Sequence, residues 1–190
     1  MKEYLSEEQF KDVQSHVTTG AASITVPRGI SRQFFMRVTN DSIKSTTGKS
    51  ALAQKSAIWA FEIISLLCLA ICCVALIDAF SWWATMAVPL TGIFWAVLAG
   101  LTNENGDWRT ITAALFGALL SGLFMPESFS SPLMLFVFSL WIHRMSFLLS
   151  QNFLIKLVTG SYAAYDMLAE HVEISHPGSQ AQQTREMTSQ

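Results

Sequence analysis

Charged residues are scarce in this chain. Only 14% of its 190 residues are Asp, Glu, Lys or Arg, against roughly 25% in soluble domains. Hydrophobic residues make up 51%, and the mean hydropathy is +0.37. This composition predicts an all-α membrane protein that lies in a lipid bilayer. The net charge of −2 does not by itself bear on nucleic acid, and we expect none as a partner.

The sequence also lacks the residue sets that enzymes and metal sites need. It contains no HExxH motif and no recognisable nucleophile–base–orienter set. Cys68, Cys72 and Cys73 fall in one apolar run, but structural metal sites take four ligands, and buried cysteines usually act as small hydrophobes. We therefore expect no catalytic residues, no cofactor and no metal.

One short stretch imitates a phosphate-binding loop. Thr47–Ser50 reads TGKS, which is how such a loop ends. The motif also requires a glycine five residues before Gly48, and Ile43 stands at that position. A β-branched residue resists the positive φ that glycine adopts there, so we expect no nucleotide. We interpret the nearby lysines as anchors for the cytoplasmic end of the first transmembrane helix, namely Lys44, Lys49 and Lys55.

Four apolar segments have lengths near those of membrane spans. A spanning helix needs about 20 residues at about 1.5 Å per residue. The segments predict a four-transmembrane-helix bundle with spans at 57-79, 82-101, 109-125 and 133-155. The last contains His143 and Arg144, so a fourth span broken into two half-segments, with three spans in all, is the alternative.

Basic residues predict the orientation. Eight of the twelve Lys and Arg residues precede Ala57, and the loops at Asp78–Ser81 and Pro126–Pro132 contain none. The positive-inside rule then places both termini in the cytoplasm, with the membrane expected to be a bacterial inner membrane. The predicted regions are a cytoplasmic N-terminal region, the bundle, and a cytoplasmic helix with a disordered tail, at 1-56, 57-156 and 157-190.

Short amphipathic helices are expected at both cytoplasmic ends. Ser6 and Gln9 have the spacing of a capping box, which marks a helix start. The next helix is basic, with Ile30, Phe34 and Val38 on one face. Such a helix usually lies on the anionic leaflet, and docking on a protein partner is the alternative. The C-terminal helix has an apolar side formed by Tyr165, Leu168 and Val172.

Small residues form rows along the second and third spans. Such rows let helix backbones approach closely in lipid, so we interpret them as helix-packing surfaces. Their spacing leaves open whether they pack within one chain or between copies. The rows are Gly92, Ala96 and Gly100; Ala113, Gly117 and Ser121; and Ala114, Ala118 and Gly122.

Polar residues lie along one face of the fourth span, at a 4-3-4 spacing: Ser139, His143, Ser146 and Ser150. Arg144 borders that face. A charge near the bilayer centre costs about 2.5–3.5 kcal/mol on insertion scales, so it usually faces protein and has a partner. Glu62 is the leading candidate for that partner. We interpret the pair as a structural clamp between the first and last helices, and a proton or ion pathway is the alternative.

Together these features favour a non-enzymatic membrane protein that works through protein–protein contacts. Its partners would be other membrane proteins or further copies of itself. The layout is shared by unrelated groups, including pore-colicin immunity proteins and small subunits of secretion or conjugation machines, an analogy of architecture without a motif. The expected role is an accessory subunit of such an assembly or an immunity-like inhibitor. An oligomeric channel or pore-forming effector, lined by the polar face, is the alternative.

Overall fold

The structure, a computed structural model, describes residues 4–80, 84–104 and 108–175, without the side chains at 80, 84–85, 101–104 and 108–111. The predicted disordered tail at 176–190 therefore lies outside the described residues, as do Ser81 and residues 105–107 of the predicted loops. The described chain is predominantly helical. Its elements are α1 (Glu7–Thr18), β1 (Ser23–Thr25), α2 (Arg28–Arg37), α3 (Asn40–Thr47), α4 (Leu52–Phe80), α5 (Ala84–Glu104), α6 (Trp108–Phe124), α7 (Glu127–Thr159), α8 (Tyr162–Leu168), a 3-10 turn (Ala169–His171) and β2 (Glu173–Ser175).

The chain forms two compact units. The first contains both ends of the chain, Met1–Leu52 and Ser150–Gln190, and the second is Ala53–Leu149. In the first unit β1 pairs antiparallel with β2, with Ser23 opposite Ser175. The N-terminal and C-terminal segments therefore fold together rather than as two separate domains.

The start of α1 follows the predicted capping box. The Ser6 side chain accepts from the Gln9 backbone N–H, and the Gln9 side chain accepts from the Ser6 backbone N–H. The helix buries Phe10, whose ring lies 5.0 Å from the ring of Tyr165. Because α1 is too short to be stable alone, this contact with α8 is what holds it.

Part of the apolar side of α2 is buried against protein, and the prediction that this helix lies on the anionic leaflet stays a prediction. The buried residues are Ser31, Phe34 and Phe35, whereas Ile30 is only half-buried. The ring of Phe35 packs edge-on at 6.4 Å from that of Phe153, in the last part of α7. The buried face of α2 therefore differs from the predicted one. Phe35, which has the larger side chain, lies in the core, and Ile30 is only half-buried.

The lysine-containing stretch that imitates a phosphate loop forms the end of a helix. Thr39 caps the start of α3, and Gly48 ends it in a left-handed conformation, with φ 71° and its N–H donating to Lys44 O. A phosphate loop needs the opposite arrangement, in which N–H groups at a helix start face the ligand. The Lys49 ammonium lies beside Gly160, 3.6 Å from where a Cβ would stand. There it meets the partial negative charge at the end of α7.

The helices α4 to α7 resemble the predicted segments, although within the described residues only two of them are long and apolar enough to cross a membrane. These two are Leu52–Ala79 in α4 and Glu127–Thr159, which is α7, while α5 and α6 contain shorter apolar stretches. α4 begins at Leu52 rather than at Ala57. α7 runs through Arg144 without a break, so the alternative of two half-segments is wrong.

Contacts along the helices give their relative directions. Glu62, Ser65 and Cys72 of α4 contact progressively earlier residues of α7, namely Ser146, Ser139 and Pro132. α4 and α7 are therefore antiparallel. On α5, Phe94 stacks on Phe136 and Trp95 reaches Ser139, so α5 follows α7 in the same direction.

Candidate functional site

A cluster of buried polar side chains lies between α4, α5 and α7 in the second unit. α4 buries Ile58, Glu62, Ser65 and Cys72, whose spacing places them along one side of a helix. α7 presents the predicted polar face towards them. Polar groups removed from water must find partners within the protein, and their hydrogen bonds define the site.

Two serines form the middle of the cluster. The Ser65 hydroxyl donates to Ser139 O at 2.9 Å, and the Ser139 hydroxyl donates to Ser65 O at 2.7 Å. The indole N–H of Trp95 donates to Ser139 Oγ at 3.0 Å. One serine thus connects three helices, and both hydroxyl groups are fully buried.

Glu62 lies one helical turn from the two serines. Its Oε1 accepts from the Ser146 hydroxyl, and its Oε2 lies 3.2 Å from Nδ1 of His143. The Ser146 hydroxyl is also 2.8 Å from the backbone oxygen of His143. Glu62 is 6% exposed and His143 8% exposed, so this is a carboxyl–imidazole contact shielded from solvent.

Aromatic rings enclose the imidazole. The ring of His143 lies 5.0 Å from that of Trp95 and 5.2 Å from that of Phe147. Arg144, the next residue on α7, is 4% exposed. The site therefore combines one carboxylate, one permanent cation and one imidazole in a buried place.

The predicted polar face is buried along its whole length. Ser139, Ser146 and Ser150 are fully buried and His143 is nearly so. Three of the four predicted residues contact α4 in the structure: Ser139, His143 and Ser146. The pairing of Glu62 with Arg144 stays a prediction, although both side chains are buried.

Most of the predicted small-residue rows are not covered by this chain. Ala96 and Gly100 on α5, and Ala113, Gly117, Ala114 and Gly122 on α6, are exposed, and Gly92 and Ser121 are half-buried. A Cβ added at Gly92, Gly100 or Gly117 would meet no atom within 4 Å. Within the rows only Ala118 is buried. On α5, Ala99 is buried, but it lies beside the row, next to Gly100.

An apolar cleft lies farther along the same three helices. It has a volume of about 290 Å³ and is lined by Cys72 and Leu76 of α4, Thr91 and Phe94 of α5, and Pro132 and Phe136 of α7. The Cys72 thiol in its wall donates to Pro132 O. With so few polar groups, the cleft offers no chemistry beyond apolar contact.

The buried cluster is arranged as a clamp. The hydroxyls of Ser65 and Ser139 donate to backbone oxygens of the facing helix, and the Ser146 hydroxyl donates to Glu62. Among the described residues, no three His, Cys, Asp or Glu side chains come together as a metal site would require. Such a clamp holds α4, α5 and α7 in register.

Sequence reasoning missed two members of the cluster, Ser65 and Trp95. Ser65 lies three residues after Glu62, and that spacing on one helix face was the available signal. Trp95 gave no comparable signal, since a tryptophan in an apolar helix is usual.

Comparisons with known proteins do not add a name to this site. No protein-family profile, curated protein or solved structure matches the chain.

Proposed function

We propose that this protein is a non-enzymatic, four-span membrane protein with both chain ends in the cytoplasm. The pairing of β1 with β2 supports the placement of both chain ends on one side of the membrane, because segments that hydrogen-bond to each other must lie on the same side. The number of spans between them is then even. The basic residues before Ala57 favour the cytoplasm as that side.

The position of α5 beside α4 and α7 favours four spans over two. Trp95 of α5 bonds to Ser139 at the level where α7 also bonds to Ser65, so α5 accompanies the two long helices. Its 21 residues measure about 31 Å, close to the hydrocarbon thickness. α6 has 17 residues, about 26 Å, which suits a span with flanking residues drawn inwards.

The uncovered small-residue rows carry the proposal that the protein works through contacts in the membrane. Lipid gives helices no hydrophobic reason to associate, so close packing of small residues is a main source of affinity between spans. The chain leaves Gly92, Gly100 and Gly117 open, although its own α4 and α7 are fastened by a polar clamp. The rows are therefore a surface for another membrane protein or a second copy.

The role we favour is an accessory subunit of a secretion- or conjugation-type assembly, or an immunity-like inhibitor of another membrane protein. Both act by contact and need no chemistry of their own. A channel lined by the polar face receives less support. Its serine hydroxyls bond to α4, and a water-filled path would require those bonds to open.

Photo-crosslinking in cells tests this proposal. A photoreactive amino acid is placed at Ala113, in a small-residue row, and in a second variant at Leu119, on the opposite side of α6 and 53% exposed. We expect a discrete protein adduct from position 113 and only diffuse products from position 119. Equal patterns at the two positions, or no protein adduct at position 113, would contradict a contact surface formed by the rows.

A further inference from the structure

The facing side chains of Glu62 and His143 have a property that a clamp does not require. Both groups gain and lose protons, their Oε2 and Nδ1 atoms are 3.2 Å apart, and both are more than nine-tenths buried. We propose that this pair is a proton-binding site inside the helical bundle. One proton enters from water when the surroundings become acidic and returns to water when they become alkaline.

The Ser146 hydroxyl allows the carboxyl group to keep its hydrogen bonds in either state. It has one proton but two acceptors in reach, Glu62 Oε1 and the backbone oxygen of His143. When Glu62 is ionised, the hydroxyl donates to it. When Glu62 is protonated, its O–H donates to Ser146 Oγ, and the hydroxyl turns to the backbone oxygen. The exchange leaves no buried polar atom without a partner, which would otherwise be costly.

The imidazole provides a second place for the same proton. With Nδ1–H donating to Glu62, an incoming proton binds Nε2 and forms an imidazolium. The rings of Trp95 and Phe147 stand 5.0 and 5.2 Å away, within the roughly 6 Å at which an aromatic face attracts a cation. Two sites in contact share the proton and titrate as one unit.

Charged and aromatic groups of three helices meet at the pair. In the described part of the chain α4 contributes Glu62, α7 contributes His143 and Arg144, and α5 contributes Trp95, which does not ionise in water. Arg144 and an ionised Glu62 cancel, so the cluster is neutral with a neutral imidazole and carries one positive charge after the proton binds. A buried change of one unit charge is large in a low dielectric, so it alters how tightly α7 is held to α4.

This inference depends on the proposed membrane bundle only for the exclusion of water around the site. The test uses the full-length protein in detergent micelles and follows the fluorescence of Trp95, isolated by subtracting the signal of a Trp95→Phe variant. A protonated imidazole quenches an adjacent indole. We expect one fluorescence transition as the solution is made acidic. His143→Gln should abolish it, and the exposed control His171→Gln should leave it unchanged.

Glu62→Gln separates a shared site from a lone histidine. We expect the pH of the transition to change in this variant, because one of the two groups that share the proton is gone. A transition that persists in His143→Gln, or one unmoved in Glu62→Gln, would overturn the proposal.

A second measurement remains decisive if those variants fail to fold. Replacing His16, His171 and His176 with Gln leaves His143 as the one histidine of the four and does not alter the cluster. Its isotope-labelled imidazole signals should shift with pH in one step, and invariant signals would overturn the site. Carbonate extraction of the cell membranes from which the protein is purified tests separately whether it is inserted. An inserted protein with no transition contradicts only the proton site, while a protein released by carbonate contradicts the membrane bundle.

Discussion

Ser65 and Ser139 exchange hydrogen bonds across the interface between α4 and α7, each hydroxyl donating to the other residue's backbone oxygen, at 2.9 and 2.7 Å. The exchange sets the register of two antiparallel helices. Apolar packing in lipid tolerates sliding, whereas two reciprocal hydrogen bonds fit only one register. This pair therefore fixes where Glu62 meets His143.

Loss of Ser139 should cost more than loss of Ser65. Ser139→Ala removes the acceptor of the Trp95 N–H as well as its own bond to Ser65. A buried donor left without a partner costs about 1–3 kcal/mol. In detergent, the unfolding temperature of Ser139→Ala should be lower than that of Ser65→Ala. Ser121→Ala is the control, because its hydroxyl donates within its own helix, to Ala118 O, and it should have little effect. Equal losses for Ser65→Ala and Ser139→Ala would contradict the three-helix junction.

Glu62 and Arg144 are predicted to be energetically coupled. Each single neutralisation should strand a buried charge, which in soluble interiors costs roughly 3–5 kcal/mol. Glu62→Gln combined with Arg144→Gln leaves no such charge, so the double variant should recover part of the stability. In a clamp, function returns with stability; in an ion pathway, function stays lost. A double-mutant cycle in detergent measures the coupling, and additive losses would mean that the two residues do not interact.

Much of the second unit follows from the sequence, because the length of an apolar run is a strong local signal for a helix. The four apolar segments correspond to α4, α5, α6 and α7, although only α4 and α7 meet the length of a span by themselves. Arg144 suggested a break in the last helix, but α7 is continuous. Helix continuity depends on backbone hydrogen bonds, which a buried charged side chain does not interrupt.

The first unit was harder to predict, because its packing joins residues far apart in the chain. The covered face of α2 depends on Phe153, and nothing near Phe35 in the sequence announces that neighbour. α3 was missed because polar residues such as Asn40 and Ser42 usually mark loops; here Thr39 caps the helix. The capping box at Ser6 was predicted because both of its partners lie within three residues.

Gly48 and Lys49 should behave as a helix end and not as a nucleotide site. Gly48→Ala forces an alanine into φ 71°, which costs about 1–2 kcal/mol for a residue with a Cβ. Lys49→Ala removes one charge near the end of α7 and should cost about 0.3–1 kcal/mol. Thermal unfolding should therefore rank Gly48→Ala as the more damaging change. Complete loss of function in a stable, inserted Lys49→Ala protein would revive the nucleotide interpretation.

Gly117 should matter to association and not to the fold of one chain. A Cβ added at this position would meet no atom of the described residues within 4 Å, so we expect Gly117→Leu to leave the unfolding temperature of the solitary protein unchanged. It should weaken binding to a partner or second copy, because the close backbone approach is blocked. Leu119→Phe on the opposite side of α6 is the control. Size-exclusion chromatography in mild detergent and crosslinking yield measure the effect, and a large loss of monomer stability would contradict it.

The side of the membrane on which residue 105 lies tests the central claim most directly. In a four-span bundle, the segment between α5 and α6 is cytoplasmic; if only α4 and α7 cross, the whole stretch between them is external. Asn105→Cys, in a background with the three native cysteines replaced, is exposed to a membrane-impermeant maleimide in intact cells and in inverted vesicles, with Lys2→Cys as the cytoplasmic reference. We predict labelling of both positions in inverted vesicles only. Labelling of position 105 in intact cells would contradict the four-span arrangement.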